Sequence, residues 1–241
     1  MRIPVGLVAN SLRTLKLVAA RKVTYSLDVV PSVRALVRNA VFDRVPGLLR
    51  RGPATAKRVA LTFDDGPDHM TLQYLDKLDE LGVPATFFVI GEHAEAHPEL
   101  VREYLRRGHQ IASHGYDHTR FTKLARRALL DQCARTEQVI GGQISGRPWV
   151  RPPHGSIHAS SLVSLLVGGY TVALWTLDSK DWGDRDPAVL AERCGPSNIT
   201  PGEVLLFHEG QQWTLDALPR IVTAIQASGY ECVTMLDLFA A

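Results

Sequence analysis

Apolar residues along the chain keep two different rhythms. Over residues 33–41, Val33, Leu36, Val37, Ala40 and Val41 recur at helical spacing with Arg34 and Arg38 opposite. Pro31 and Ser32 supply a helix start. Residues 46–58 contain two prolines, two glycines and several basic side chains, so they read as a linker with a boundary near Lys57. Beyond it, short apolar runs alternate with helical stretches. The runs predict strands at Val59–Phe63, Ala85–Ile90, Gln110–Ser113, Trp149–Arg151, Thr171–Leu177, Val204–Phe207 and Glu231–Thr234. Helices are predicted near 71–81, 95–107, 122–140, 157–167, 187–194 and 214–227. Pro98 suits the first turn of its helix, and Gly82, Gly108 and Gly229 stand where C-terminal caps belong.

Seven strands alternating with helices imply an α/β fold with a parallel sheet. Polar clusters choose its form. Asp64-Asp65, His114 to His118, Arg151 to His154, Asp178 to Trp182 and His208 follow the C-terminal ends of five strands. In a closed barrel those ends converge on one rim, where loops carry chemistry. An open sheet would spread them along a line. The expectation is therefore a distorted, seven-stranded (β/α) barrel over residues 58–241, preceded by a helical, basic extension over residues 1–57.

Composition adds a charge asymmetry. Residues 1–58 hold 12 of the 27 Lys and Arg but only 2 of the 25 Asp and Glu, leaving the remainder acidic. The plain reading is a solvated basic face on packed helices; the sharper one is peripheral contact with an anionic membrane surface. Nucleic-acid binding is not expected, because no aromatic residues interleave the basic ones in a known pattern. No apolar run reaches the roughly 18–20 residues a membrane span requires. The N-terminus lacks the unbroken apolar run of a secretory signal, and Cys133, Cys194 and Cys232 are odd in number and widely spaced. Both features point to a cytoplasmic, reducing compartment. Oligomeric state is not legible.

The clusters suggest one chemistry. Thr62-Phe63-Asp64-Asp65-Gly66 ends a strand with adjacent carboxylates that repel unless a cation or proton intervenes. A metal on one would leave the other free to act as a base. His114 and His118, four residues apart, predict a helical turn presenting two imidazoles on one face. With Asp65 they form three protein ligands and leave coordination positions open, the mark of a catalytic metal. His109 is expected at the start of a strand, outside this set. Arg151 can pair with Asp64, and Pro152 and Pro153 stiffen the backbone before His154. His208 ends a buried strand as a candidate proton donor, with Asp178 as the carboxylate that keeps it protonated. Trp182 and Leu206 are candidate apolar walls for an acetyl group or a sugar face.

With these residues in order, the sequence resembles the polysaccharide deacetylase family, carbohydrate esterase family four, with its NodB-type domain. The resemblance runs from about Val59 to Leu238. It rests on TFDDG at 62–66, HxxxH at 114–118, RPPxG at 151–155, DxxDW at 178–182 and LxH at 206–208. It implies a carbohydrate substrate bearing N-acetylated amino sugar and one divalent ion, zinc first, with cobalt, nickel or manganese as substitutes. Asp64 would be the general base and Asp65, His114 and His118 the metal ligands. Arg151 would orient Asp64, and His208 would be the acid, tethered by Asp178. The backbone N–H at His154 would be an oxyanion donor. Two departures bear on substrate: Gly115 replaces the common Ser or Thr, and His154 replaces the common aromatic. Hydrolysis of another small amide or ureide, and a silent carbohydrate-binding module, are the competing readings. The intact set of base, ligands and acid speaks against the module.

Overall fold

The computed structural model describes residues 44–142 and 146–240. The predicted helix at 33–41 and most of the basic extension lie outside them. Among the described residues nine short strands, rather than the seven expected, make one sheet: β1 (Leu48–Leu49), β2 (Arg58–Asp64), β3 (Thr86–Val89), β4 (Gln110–Ser113), β5 (Trp149–Val150), β6 (Thr171–Ala173), β7 (Leu177–Asp178), β8 (Val204–His208) and β9 (Glu231–Val233). Eight follow the order β1-β6-β5-β4-β3-β2-β8-β7, every pairing is parallel, and β9 joins β2 off this path. The sheet curls into a distorted (β/α) barrel. Its helices are α1 (Thr71–Leu81), α2 (Gly91–Ala96), α3 (Pro98–Arg106), α4 (Arg126–Ile140), α5 (Ala159–Val167), α6 (Pro187–Arg193), α7 (Gln212–Ala227) and α8 (Met235–Ala240).

Strand alternation sorts the core into two layers. Val59, Leu61 and Phe63 of β2, with Phe87, Ile111, Leu205 and Phe207, pack outward against Tyr74, Leu78, Leu218 and Ile221 of the helices. Phe63 stacks on Phe87 and Phe207, with ring centroids 5.2 and 5.5 Å away. Burying each such side chain stabilises the fold by roughly 1.5–3 kcal/mol. Ala60, Phe88, Ala112, Val204 and Leu206 belong to the inner layer with Trp175 and Met235. The same inward parity carries Asp64 and His208, and β2 and β8 pair them directly in register.

Three expectations change. The predicted strand 171–177 is two strands, because the chain changes partner midway: Leu174 N–H donates to Leu49 O at 2.7 Å, whereas Thr176 N–H donates to Val204 O at 3.0 Å. The predicted linker contributes β1, and Gly52 N–H donates to Gly202 O at 2.8 Å. Residues 48–52 therefore pack as part of the barrel. Helix 95–107 is instead α2 and α3, separated at His97 with Pro98 at the start of α3. Gly82, Gly108 and Gly229 all take positive φ at helix ends, as predicted. No helix among the described residues is long and apolar enough to cross a membrane.

Candidate active site

Asp64 ends β2 with its carboxylate turned inward and 3% exposed. Its Oδ1 accepts from Arg151 NH1 at 2.7 Å, and Thr62 Oγ1 accepts from the same nitrogen at 2.8 Å. Arg151 is fully buried, its guanidinium 3.8 Å from the Phe88 ring centre. Burial pulls its pKa down and Asp64 pulls it back up. A lone charge at that depth would cost several kcal/mol, so the two charges depend on each other.

The next residue leaves the sheet. Asp65 has φ of +75°, and among the described residues His118, His154 and Lys180 are the other non-glycine positions with positive φ. All four lie in the rim loops that carry the predicted clusters. Backbone strain of this kind, about 1–3 kcal/mol per residue, persists where the surroundings enforce it. The predicted helical turn at 114–118 does not form. His114 leaves β4, Gly115 turns at φ of +80°, and His118 returns at +59°. A Cβ on Gly115 would press on Phe121 at 3.2 Å and Pro153 at 3.4 Å, so the residue fits both the turn and the space. The loop still delivers both imidazoles to one place.

Asp65, His114 and His118 offer one ligand atom each, all within 4.8 Å of one another. His118 Nε2 lies 3.1 Å and His114 Nε2 3.5 Å from Asp65 Oδ1. That oxygen is buried and makes no hydrogen bond. His114 Nδ1–H donates to Arg151 O at 2.9 Å, which leaves the Nε2 lone pair directed at the cluster. His93 Nδ1–H donates to Asp65 O at 3.2 Å and steadies the turn. An unpaired anionic oxygen facing imidazole nitrogens fits a divalent cation, and an Asp-His-His set suits zinc. Burial alone would raise the Asp65 pKa. The facing His118, with His114 and His208, outweighs it and holds the carboxyl well below the usual range. Asp64 Oδ2 is 3.6 Å from His114 Nε2, so Asp64 stands beside the Asp65-His114-His118 cluster rather than within it.

His208 ends β8 across from Asp64, but its tether is Asp181, not Asp178. His208 Nδ1–H donates to Asp181 Oδ1 at 2.6 Å, and its backbone N–H donates to Oδ2 at 2.8 Å. Asp178 instead accepts from Lys180 N–H at 2.8 Å. Burial disfavours charge on His208, yet the Asp181 carboxylate, helped by Asp64 and Asp65, pushes its pKa up to about 9. Asp178 itself is shifted upward by burial.

Pro153 is buried and His154 exposed, its ring 4.4 Å from that of His118. Burial and the neighbouring His118 and Arg120 lower the His154 pKa to about 4. In this turn Gly155 N–H donates to Pro152 O at 2.9 Å and Ser156 N–H to Pro153 O at 3.1 Å, while the His154 amide enters no such bond. Trp182, 64% exposed, follows Asp181 in the loop after β7. Leu206 is 3% exposed within the inner core and lies beneath the rim rather than forming an open wall. His109 accepts from Ala85 N–H at 3.1 Å and is structural, as expected. Sequence reasoning missed Asp181, although it stands in the DxxDW motif. It also missed Thr62, and Glu209, a charge set directly after a buried strand.

A family model described as polysaccharide deacetylase matches residues 51–173. Peptidoglycan-N-acetylglucosamine deacetylase PgdA of Listeria monocytogenes is 33% identical over 187 residues, 77% of this chain and 39% of that protein. This chain thus spans about two fifths of the length of that relative. A peptidoglycan-N-acetylglucosamine deacetylase of Bacillus cereus is 33% identical over 78% of this chain and 70% of its own length. Chitooligosaccharide deacetylase of Rhizobium leguminosarum bv. trifolii is 32% identical over 80% of this chain and 96% of its own. Among solved structures, a peptidoglycan N-acetylglucosamine deacetylase in complex with 4-naphthalen-1-yl-N-oxidanyl-benzamide superposes with a TM-score of 0.76. It is 31% identical and covers 81% of this chain and 94% of its own. A mutant of a family-four pseudoenzyme, with restored enzymatic activity, gives 0.73 at 26% identity over 95% of this chain and 82% of its own. Barrel, motifs and similarity define a carbohydrate esterase fold. The chain belongs to the polysaccharide deacetylase family.

Proposed function

We propose that this protein is a metal-dependent N-deacetylase that hydrolyses acetyl groups from N-acetylglucosamine-containing oligo- or polysaccharide. The observation that carries the reading is the unpaired Asp65 Oδ1 facing His114 and His118, with Asp64 held alongside by Arg151. Relatives named for peptidoglycan and chitooligosaccharide support the substrate class. Asp65, His114 and His118 would hold the ion, zinc first, with cobalt, nickel or manganese able to replace it. When bound, a divalent ion supplies Lewis-acid polarisation of the acetyl carbonyl and acidifies water.

The chain's own residues do the rest. Asp64 accepts a proton from the attacking water, and Arg151 fixes the orientation of its carboxylate. The His154 N–H donates to the oxygen that becomes negative, a contribution of roughly 2.7–4 kcal/mol in other enzymes. His208, kept protonated by Asp181, gives its proton to the departing amine nitrogen. Acetate and a free amino sugar leave. Pro153, the His154 ring and Trp182 border the rim where the sugar would lie, with Leu206 below.

The deciding experiment is a screen of acetylated substrates on zinc-loaded protein, with acetate, formate and ammonia measured separately. Acetate release from acetylated chitooligosaccharides is the expected result. Formate or ammonia from a small amide, with no acetate from any amino sugar, would replace this reading with the ureide one.

A further inference from the structure

Glu209 follows His208 directly, and nothing in the reaction above uses it. It is 3% exposed, and burial drives its pKa up to about 8. Such a carboxyl is costly to keep unless its position is used. Its Oε1 accepts from the Thr71 hydroxyl at 2.9 Å and its Oε2 from the Tyr104 hydroxyl at 2.7 Å. Thr71 Oγ1 in turn accepts from Asp68 N–H at 2.8 Å, and Asp68 Oδ1 from Met70 N–H at 2.7 Å. The Glu209 backbone N–H donates to Asp64 O at 3.0 Å. A Cβ at Gly66 would overlap the Glu209 carboxyl, and one at Gly210 would overlap Asp68. The turn after Asp65 therefore lies directly on this side chain, and glycine at position 66 is what the contact requires.

We propose that Glu209 is a positioning residue that sets the place of the Asp65 turn relative to His208. Its backbone is fixed to the end of β8 beside the acid. Its carboxyl props the segment 65–71 that begins with a metal-ligand candidate. One residue thus couples the two poles of the site, through hydrogen bonds that an amide can replace and a methyl group cannot. Glutamine would accept from Thr71 and donate to Tyr104, whose hydroxyl lies 3.3 Å from Thr71 Oγ1 and can turn its own proton there. The inference rests on the reading that Asp65 helps hold a metal.

The test measures zinc affinity by chelator competition on the full chain, with kcat and KM on an acetylated chitooligosaccharide and thermal unfolding of the metal-free protein. Glu209→Ala should weaken zinc about tenfold or more, as loss of a ligand's supporting partner does elsewhere. It should lower kcat by a similar factor and leave KM within about threefold. Glu209→Gln should recover most of both. Zinc affinity within twofold of wild type in folded Glu209→Ala would overturn the proposal, whatever happens to the unfolding temperature. Glutamine as damaging as alanine would also overturn it. If alanine prevents folding, Tyr104→Phe removes a single donor and should still weaken zinc several-fold; unchanged affinity there is equally fatal. The zinc arm needs no substrate. Zinc responses as predicted with no acetate release from wild type would therefore refute the deacetylase reading alone, and a wild type that binds no zinc would overturn both.

Discussion

Asp181 is fully buried and serves four groups at once. Its carboxylate accepts from both nitrogens of His208 that face it and from the Thr214 hydroxyl at 2.8 Å, and its carbonyl accepts from Trp213 Nε1 at 2.7 Å. This fixes the sign of a pH effect. A pKa raised by a carboxylate keeps His208 protonated upward in pH, so activity that needs the proton falls only as pH passes its folded value, near 9. Asp181→Asn should therefore move the basic limb of kcat/KM down by about one unit or more, because an opposite charge in contact is worth that much. Asp178→Asn should move it less. A basic limb unmoved in Asp181→Asn, at saturating metal, would remove His208 from the role of acid. In sequence the two aspartates are equivalent, three residues apart in one motif. What separates them is backbone: Asp178 pairs in β7, and Lys180 at φ of +58° reverses the chain so that Asp181 meets His208. Positive φ at a lysine leaves no trace in a residue pattern.

The element most easily overlooked, β1, has only Leu48 and Leu49, set between Pro46-Gly47 and Arg50-Arg51. Two residues are too few for alternation to register, so the segment reads as linker. Its value comes from distant partners: Leu48 is buried, Val172 N–H donates to Gly47 O at 2.8 Å, and Arg51 pairs with Glu203 at 2.5 Å. A protein truncated to begin at Arg44 should keep turnover on a small soluble substrate within about twofold, since every inferred catalytic residue lies beyond it. One truncated to begin at Arg58 should melt about 5–10 °C lower, from lost Leu48 burial and the broken Arg51 pair. Equal melting temperatures for the two would show that β1 is not an integral strand. The longer strands and α1 were legible because their periodicity runs through several side chains. The His114–His118 loop was misread in form because spacing of four residues also arises from a turn through Gly115.

At the scale of the molecule, the site exists because inward-facing positions on a curled parallel sheet reach one rim. Asp64 and His208 share a parity with Ala60, Thr62, Val204 and Leu206, and His114 continues that of Ala112. That convergence was readable from five polar clusters at strand ends. The division of labour between two adjacent aspartates depends on finer geometry: Asp64 is still in β2 and meets Arg151, whereas Asp65 has turned out of the sheet to meet the histidines. Zinc stoichiometry, measured in parallel on wild type, Asp65→Ala and Asp64→Asn, tests this assignment most directly. Wild type and Asp64→Asn should each hold about one zinc, with acetate release by the latter reduced about 10²–10⁴-fold, and Asp65→Ala should hold little. Full zinc in Asp65→Ala, or its loss in Asp64→Asn alone, would contradict the account.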